Sequence, residues 1–381
     1  MVADDALTPS RRLAAPEAEA DAERDLAAPG ARAPAPEEMP SARLTRRRVV
    51  AFVIFVASAL AFLYFVLPKL AGLKDSWNRI EQGAPAWLVV GVVFEALSFL
   101  GYVLLFRIVF VRGESRVDWR ESYQITMAGV AATRLFATAG AGGLALTAWA
   151  LRRSGMEPKL VACRMVAFMA LLYAVYMGTM VVCGLGLYFG VLDGGSNFAL
   201  TIVPAIFGAT VIAIVLGASF LPAGFERQAR HWATGRGRLA RVAGGLATLP
   251  ASLATGTRTA IGLVRAREPL LLGAVMWWAF DILTLWASFR AFGGAPAGGV
   301  IVMSYFVGML GNLLPLPGGI GGVDGGMIGA FAAFGVDPGL AIVAVLAYRA
   351  FAFWLPTLPG AVAYLQLRRT VHRWEAEGAL A

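Results

Sequence analysis

Long apolar runs alternate with short basic segments along this chain. Runs at 49–67, 86–110, 121–151, 159–190, 198–221, 270–292, 298–334 and 338–366 carry few charges. A helix needs about 20 apolar residues to cross a hydrocarbon core of about 30 Å. Six of the runs suit one crossing each. The other two, 121–151 and 298–334, are interrupted by glycine: near Thr138–Gly143 in one, and between Leu313 and Gly335, with Pro315 and Pro317, in the other. Lipid cannot hydrogen-bond a broken backbone, so such breaks are confined to places covered by protein or water. Transporters use them to build binding sites near the midplane.

Composition agrees with this pattern. The chain has 381 residues, 58% hydrophobic and 15% charged, with mean hydropathy +0.68. This is an integral membrane composition. The net charge of +9 sits between the apolar runs, which reads as anchoring against anionic lipid and argues against a nucleic-acid partner. Residues 1–42 are rich in Ala, Pro and Glu without an apolar period, and no apolar stretch follows Met1 to suggest a signal peptide. Residues 1–48 are therefore expected to be a disordered cytoplasmic tail, with Arg43, Arg46, Arg47 and Arg48 holding it inside. The arginine-rich segment 222–269 reads as cytoplasmic and partly an interfacial amphipathic helix. Arg368, Arg369 and Arg373 make 368–381 a cytoplasmic tail.

Counting crossings locates the two unusual runs. If 121–151 crossed once, Arg152 and Arg153 would fall outside, and so would 222–269. Both placements oppose the positive-inside bias. The conflict disappears if 121–151 enters from the cytoplasm and returns to it, and if 298–334 does the same from the outside. The expected fold is thus an all-α polytopic integral membrane protein of the cell membrane. It has about six full transmembrane helices plus two re-entrant helical hairpins, and both termini are cytoplasmic. An internal repeat supports the scheme. ATAGAGGLALTAWALRRSGMEP from Ala137 parallels PGGIGGVDGGMIGAFAAFGVDP from Pro317, and both end in a Gly-x-acid-Pro turn. One hairpin opens inward and the other outward, so repeat one (about 86–190) and repeat two (about 270–366) are inverted, as in alternating-access carriers.

Several residues in these runs carry candidate chemistry. Asp324 lies eleven residues before Gly335 and Arg349 eleven after Pro338. At 1.5 Å per residue both stand about 16 Å from the turn, near mid-membrane. Charges there need a partner or water. They form an internal ion pair, or Arg349 attracts a lipid phosphate that Asp324 moderates. Gly321, Gly322, Gly325 and Gly326 surround the start of a half-helix whose free N–H groups suit an anion; Asp324 also fits as its N-cap. Gly140, Gly142 and Gly143 offer the same device in the first repeat. Arg134, just before them, is a second phosphate contact or a snorkelling side chain. Glu95 and Asp281 are intramembrane acids at similar places in the two repeats: a proton carrier or a partner for Arg134, or else paired with Arg107, Arg164 or a backbone donor. Trp277, Trp278, Trp286 and Trp354 read as membrane packing. Cys163 and Cys183 lie in an apolar run and read as free thiols. His231 and His372 are the only histidines, so no metal site, Ser-His-Asp set or cofactor is expected.

The stretch Pro315-x-Pro317-Gly318-Gly319-Ile320-Gly321-Gly322, then Asp324, with Tyr348-Arg349 followed by Trp354-x-Pro356 and Gly360, resembles the lysylphosphatidylglycerol synthase transmembrane, flippase-like (UPF0104) family. The resemblance extends over about 49–367. An acid commonly follows the glycines in that family; here it is Asp324, while Leu144 takes that place in the first repeat. Larger members carry a soluble aminoacyltransferase domain, which is not expected in this chain. The resemblance implies a flippase-like domain, a membrane phospholipid or lipid-linked glycan as cargo, and a separate lipid-modifying enzyme as a partner. It brings Gly318, Gly319 and Tyr348 into the candidate site beside Arg134, Gly142, Gly143, Gly321, Gly322, Asp324 and Arg349. No G-x-x-x-x-G-K-[ST] run marks an ATP site. The expectation is therefore a lipid flippase for an anionic amphiphile, not an enzyme. An ion-coupled carrier of a small solute and an enzyme acting on lipid-linked sugar are the alternatives.

Overall fold

The computed structural model describes residues 83–111, 116–135, 141–220, 253–313, 319 and 321–378, all within one compact unit, Ala42–Ala381. The tail expected at 1–48, the run at 49–67, most of the 222–269 segment and Gly318 lie outside the described residues.

The described residues form helices joined by turns. They are α1 (Pro85–Phe110), α2 (Trp119–Leu135), α3 (Ala141–Arg153), α4 (Pro158–Tyr188), α5 (Phe198–Ala218), α6 (253–265), α7 (Leu272–Ala291), α8 (Gly298–Met309), α9 (Gly322–Ala333), α10 (Pro338–Arg349) and α11 (Leu355–Gly378). Five helical segments are long and apolar enough to span a membrane: Pro85–Phe110, Pro158–Tyr188, Phe198–Ala218, Pro269–Ala291 and Pro338–Glu377. These are the five expected crossings that fall among the described residues. Prolines at the first turns of α1, α4 and α10 start helices where a missing N–H costs nothing. Asn197 caps α5, accepting from the N–H groups of Ala199 and Leu200.

The two interrupted runs fold alike. Each becomes two helices, α2 with α3 and α8 with α9, packed against one another. These helices have 17, 13, 12 and 12 residues, about 18–26 Å at 1.5 Å per residue, too short for a crossing. Glycine permits the packing. A Cβ on Gly143 would clash with Thr133 and the carbonyl of Gly129; one on Gly311 would clash with Gly322. The repeated turns are also superimposable in pattern. Gly155 (φ +95°) and Gly335 (φ +81°) follow α3 and α9. The Met156 N–H bonds the Leu151 carbonyl, and the Val336 N–H bonds the Phe331 carbonyl. Both are the left-handed stop that glycine favours at a helix end.

Helix pairing follows an exchange. α1 packs on α7. α2 packs on α11, and α8 packs on α4. Each pair is antiparallel: Ser98 bonds the Trp277 carbonyl and Thr284 that of Gly91. Arg134 reaches Ala352 while Thr370 reaches Gln124. Tyr176 meets Phe306, and Leu187 lies against Gly299. α5 packs on α4 and buries only Thr201, Pro204, Ala205 and Gly208; its other faces are exposed and apolar, as lipid contact requires.

Two outcomes refine the expected boundaries. The last helix does not stop near 366 but continues through Gly378, so the basic segment from 368 is helical. It packs on α2 through Arg373–Glu121 (3.6 Å), and Arg153 at the end of α3 reaches Glu375 (2.9 Å). Within the basic segment, residues 253–265 form a helix. It buries Ala254, Thr257, Ala260 and Leu263 on one face and exposes Arg258 and Arg265. Cys163 and Cys183 are free thiols.

Candidate functional site

The α1–α7 crossing sets the site. A Cβ on Gly101 would lie 2.6 Å from Met276 Cβ and 2.8 Å from the Gly273 carbonyl, so the backbones touch there. Small residues allow such contact between membrane helices. Ser98 lies opposite Trp277 and Gly91 opposite Thr284. In this antiparallel register Glu95 falls opposite Asp281. Glu95 is ten residues from Pro85 and Asp281 nine from Leu272, each about 14–15 Å along its helix and so near mid-span. Both acids line the same cavity. Both side chains are buried, at 4% and 6% exposure.

Tyrosines complete the surroundings. Asp281 Oδ2 accepts the hydroxyl of Tyr305 on α8 and that of Tyr348 on α10, the latter at 3.1 Å. Among the described residues, the basic side chains expected as alternative partners are engaged elsewhere. Arg107 donates to Ser122 Oγ (3.0 Å) and lies over Trp119, while Arg164 donates to the Phe110 carbonyl (2.7 Å).

Arg134, in the last turn of α2, reaches the segment between α10 and α11. Its Nη1 donates to the Phe353 carbonyl (2.9 Å) and its Nη2 to that of Ala352 (2.6 Å). The sequence explains why a carbonyl is available there. Ala352 would ordinarily accept from the residue four on, which is Pro356 and has no N–H. A π-helical turn over Ala350–Trp354 loosens the backbone at the same place. Arg134 therefore does not snorkel to an interface. Its charge also lies in the field of Glu95, Asp281 and Arg349.

Asp324 takes both of the roles read from its spacing. Oδ1 lies 2.6 Å from Arg349 Nε, and Oδ2 accepts the Gly321 N–H at 2.9 Å. Gly321 (φ +84°) turns the chain into α9 in a conformation that only glycine takes easily. The start of α9 is thus capped by its own carboxylate, which occupies the position expected for an anion. Arg349 also stacks over Phe353, 4.6 Å from the ring centre.

These groups surround one cavity of about 470 Å³. Glu95, Asp281, Arg134, Arg349 and Tyr348 line it, with Gly143 from the first break and Gly319 from the second. The remaining wall is largely apolar and aromatic, including Phe106, Phe168, Met169, Trp277, Trp278 and Phe353. Gly142, Gly321, Gly322 and Asp324 are not in the lining, and Gly318 is outside the described residues. Gly143 and Gly322 serve the packing of the short helices. Tyr305 was not singled out by sequence, although a tyrosine hydroxyl inside an apolar run requires a polar partner. Trp278 lines the cavity while its indole N–H donates to the Leu172 carbonyl. Among the described residues no group of three or more His, Cys, Asp or Glu is arranged to hold a metal.

The sequence matches the family described as the lysylphosphatidylglycerol synthase TM region over residues 48–360. A UPF0104 membrane protein of Methanothermobacter thermautotrophicus is 22% identical over 331 residues, covering 82% of this chain and 94% of that protein. A UPF0104 membrane protein of Methanocaldococcus jannaschii is 32% identical over 101 residues, 26% of this chain and 30% of that protein. No solved structure matches. The family match takes in both pairs of short helices and every residue lining the cavity, and the chain belongs to the lysylphosphatidylglycerol synthase TM region family.

Proposed function

We propose that this membrane protein is a lipid flippase that carries an amphiphile with an anionic headgroup between leaflets. The observation that carries the reading is the cavity. It joins a polar pole, Arg134 and Arg349, to a broad apolar and aromatic wall. A headgroup and an acyl chain need those two surfaces side by side. Guanidinium forks suit phosphate oxygens, and a headgroup with hydrogen-bond acceptors tolerates a low-dielectric site only when donors meet it. The cargo class is a membrane phospholipid or lipid-linked glycan, supplied by a separate lipid-modifying enzyme. The protein moves its cargo without making or breaking a covalent bond.

Two features support re-entrant hairpins in inverted repeats. Glu121 at the start of α2 and Arg153 at the end of α3 contact residues only two apart, Arg373 and Glu375. The run therefore returns to the end at which it began. The exchange of partners, α2 on α11 and α8 on α4, with α1 against α7, is the pattern of a two-fold axis lying in the membrane. The face carrying Arg152, Arg153, Lys159, Arg265, Arg267 and Arg373 is then cytoplasmic.

The test is headgroup transfer between leaflets of vesicles holding the purified protein. An anionic phospholipid should move faster than in protein-free vesicles, and diacylglycerol should not. Arg134→Lys keeps the charge but loses the planar fork. It should slow transfer at matched amounts of folded protein, and Arg134→Gln should slow it further. Equal movement of diacylglycerol would remove the anion site from the mechanism.

A further inference from the structure

We propose that Glu95 and Asp281 together form a proton-binding site whose loading is coupled to occupation of the cavity by an anionic headgroup. The coupling rests on the flippase reading above; the proton site does not.

The argument begins with unsatisfied oxygens. Asp281 Oδ2 takes two tyrosine hydroxyls, whereas Asp281 Oδ1 and Glu95 Oε2 are buried and receive no donor among the described residues. Yet the register of α1 on α7 sets the two acids opposite one another, and both line one cavity. Ionised carboxylates only accept, so two of them cannot bond one another. In a low-dielectric interior their like charges also repel strongly. One hydrogen held between them satisfies an orphaned oxygen and removes the repulsion. The pair then carries a single negative charge.

Among the described residues, the groups facing that charge are few. Arg134 comes from α2, Tyr305 from α8, Tyr348 and Arg349 from α10, and Thr284 lies on α7 beside Glu95. Tyr176 of α4 gives its hydroxyl to the Phe306 carbonyl instead. Arg349 lies against Asp324. Arg134 donates to neutral carbonyls, so its charge is answered by the acid pair. An anionic headgroup bound at Arg134 competes for that charge. The pair then takes up a second proton from water on the side to which the cavity is open. One carboxyl and one carboxylate become two carboxyls, and no other bond changes. Release of the headgroup on the far side restores the field of Arg134 and expels the proton there. One anionic charge and one proton cross together, so the cycle moves no net charge. Linkage makes the effect reciprocal: acid on the loading side strengthens headgroup binding.

Two measurements test this separately. In purified wild-type protein at neutral pH, infrared spectra should show a protonated carboxyl band that shifts in heavy water and is absent from Glu95→Gln/Asp281→Asn. A wild-type protein without such a band overturns the proton site, whether or not lipid moves. In reconstituted vesicles, each unit of pH difference should change the steady-state leaflet ratio of an anionic phospholipid about tenfold, the ratio expected for one proton per lipid. Glu95→Gln should flatten that response, whatever its absolute rate. Transfer that ignores the pH gradient, or follows a sodium gradient instead, overturns the coupling while leaving the flippase reading intact. Absence of any transfer by wild-type protein sinks the flippase reading and the coupling with it, and the infrared result then decides the proton site alone.

Discussion

At the scale of single residues, the Asp324–Arg349 pair shows how one carboxylate serves two purposes. It ends the left-handed turn at Gly321 and anchors a cation from α10. Both side chains are mostly buried, at 11% and 12% exposure. Removing one partner leaves the other charge stranded. Arg349→Gln is expected to destabilise the fold by about 3–5 kcal/mol, the range for a broken buried pair. Thermal unfolding in detergent would read this. Combining it with Asp324→Asn should recover much of the loss, because the stranded carboxylate is then gone. A double variant as unstable as the sum of the singles would show that the two groups act independently. The spacing of eleven residues on either side of the Gly335–Pro338 turn already placed this pair at equal depth. Tyr305 was hidden because nothing in its own run shows which acid it meets.

At the scale of helices, glycine decides how closely elements approach. Gly101 and Gly273 bring α1 and α7 into backbone contact, which holds Glu95 opposite Asp281. Gly101→Ala should push the helices apart and cost about 1–3 kcal/mol, the usual range for overpacking. Gly178, on α4, has open space around its would-be Cβ. Gly178→Ala should change stability by no more than about 0.5 kcal/mol. Equal effects of the two changes on the unfolding midpoint would argue against a packing role for the Gly101 crossing. The glycines in the two interrupted runs were legible as backbone breaks. Their second use, as contact surfaces between short helices, depends on a neighbour far along the chain or across a turn.

At the scale of the whole molecule, charge and pairing point to one arrangement in the membrane. With Cys163 and Cys183 replaced by serine, single cysteines at Arg258 and Arg373 should resist an impermeant thiol reagent in intact cells. Ser196→Cys, on the exposed turn between α4 and α5, should react. Labelling of Arg373→Cys from outside would reverse the orientation. Because α2 rests on α11 and α8 on α4, each pair of short helices is attached to a long helix distant in sequence. In the proposed flippase, a rocking motion that opens one side would carry the attached pair of short helices with it.

The sequence by itself determined the helical class, the five described spans and the two interrupted runs. Apolar length and glycine placement act locally, and a bilayer allows little else. It also determined the paired Gly155 and Gly335 turns and the nearness of Asp324 to Arg349, since both follow from counting along a short connection. Only the tertiary structure decided the rest. Glu95 meets Asp281 because two helices whose starts, Pro85 and Leu272, lie 187 residues apart cross antiparallel at Gly101 and Gly273.

 Arg134 finds its partners because Pro356 removes the α-helical donor of the Ala352 carbonyl and the fold brings α2 beside it. The cavity arises only when helices from distant parts of the chain close around that crossing. The physical reason is the range of the forces involved. Hydropathy and turn preference act within a few residues, whereas the pairing of buried polar groups is settled by which distant helices the whole chain packs together.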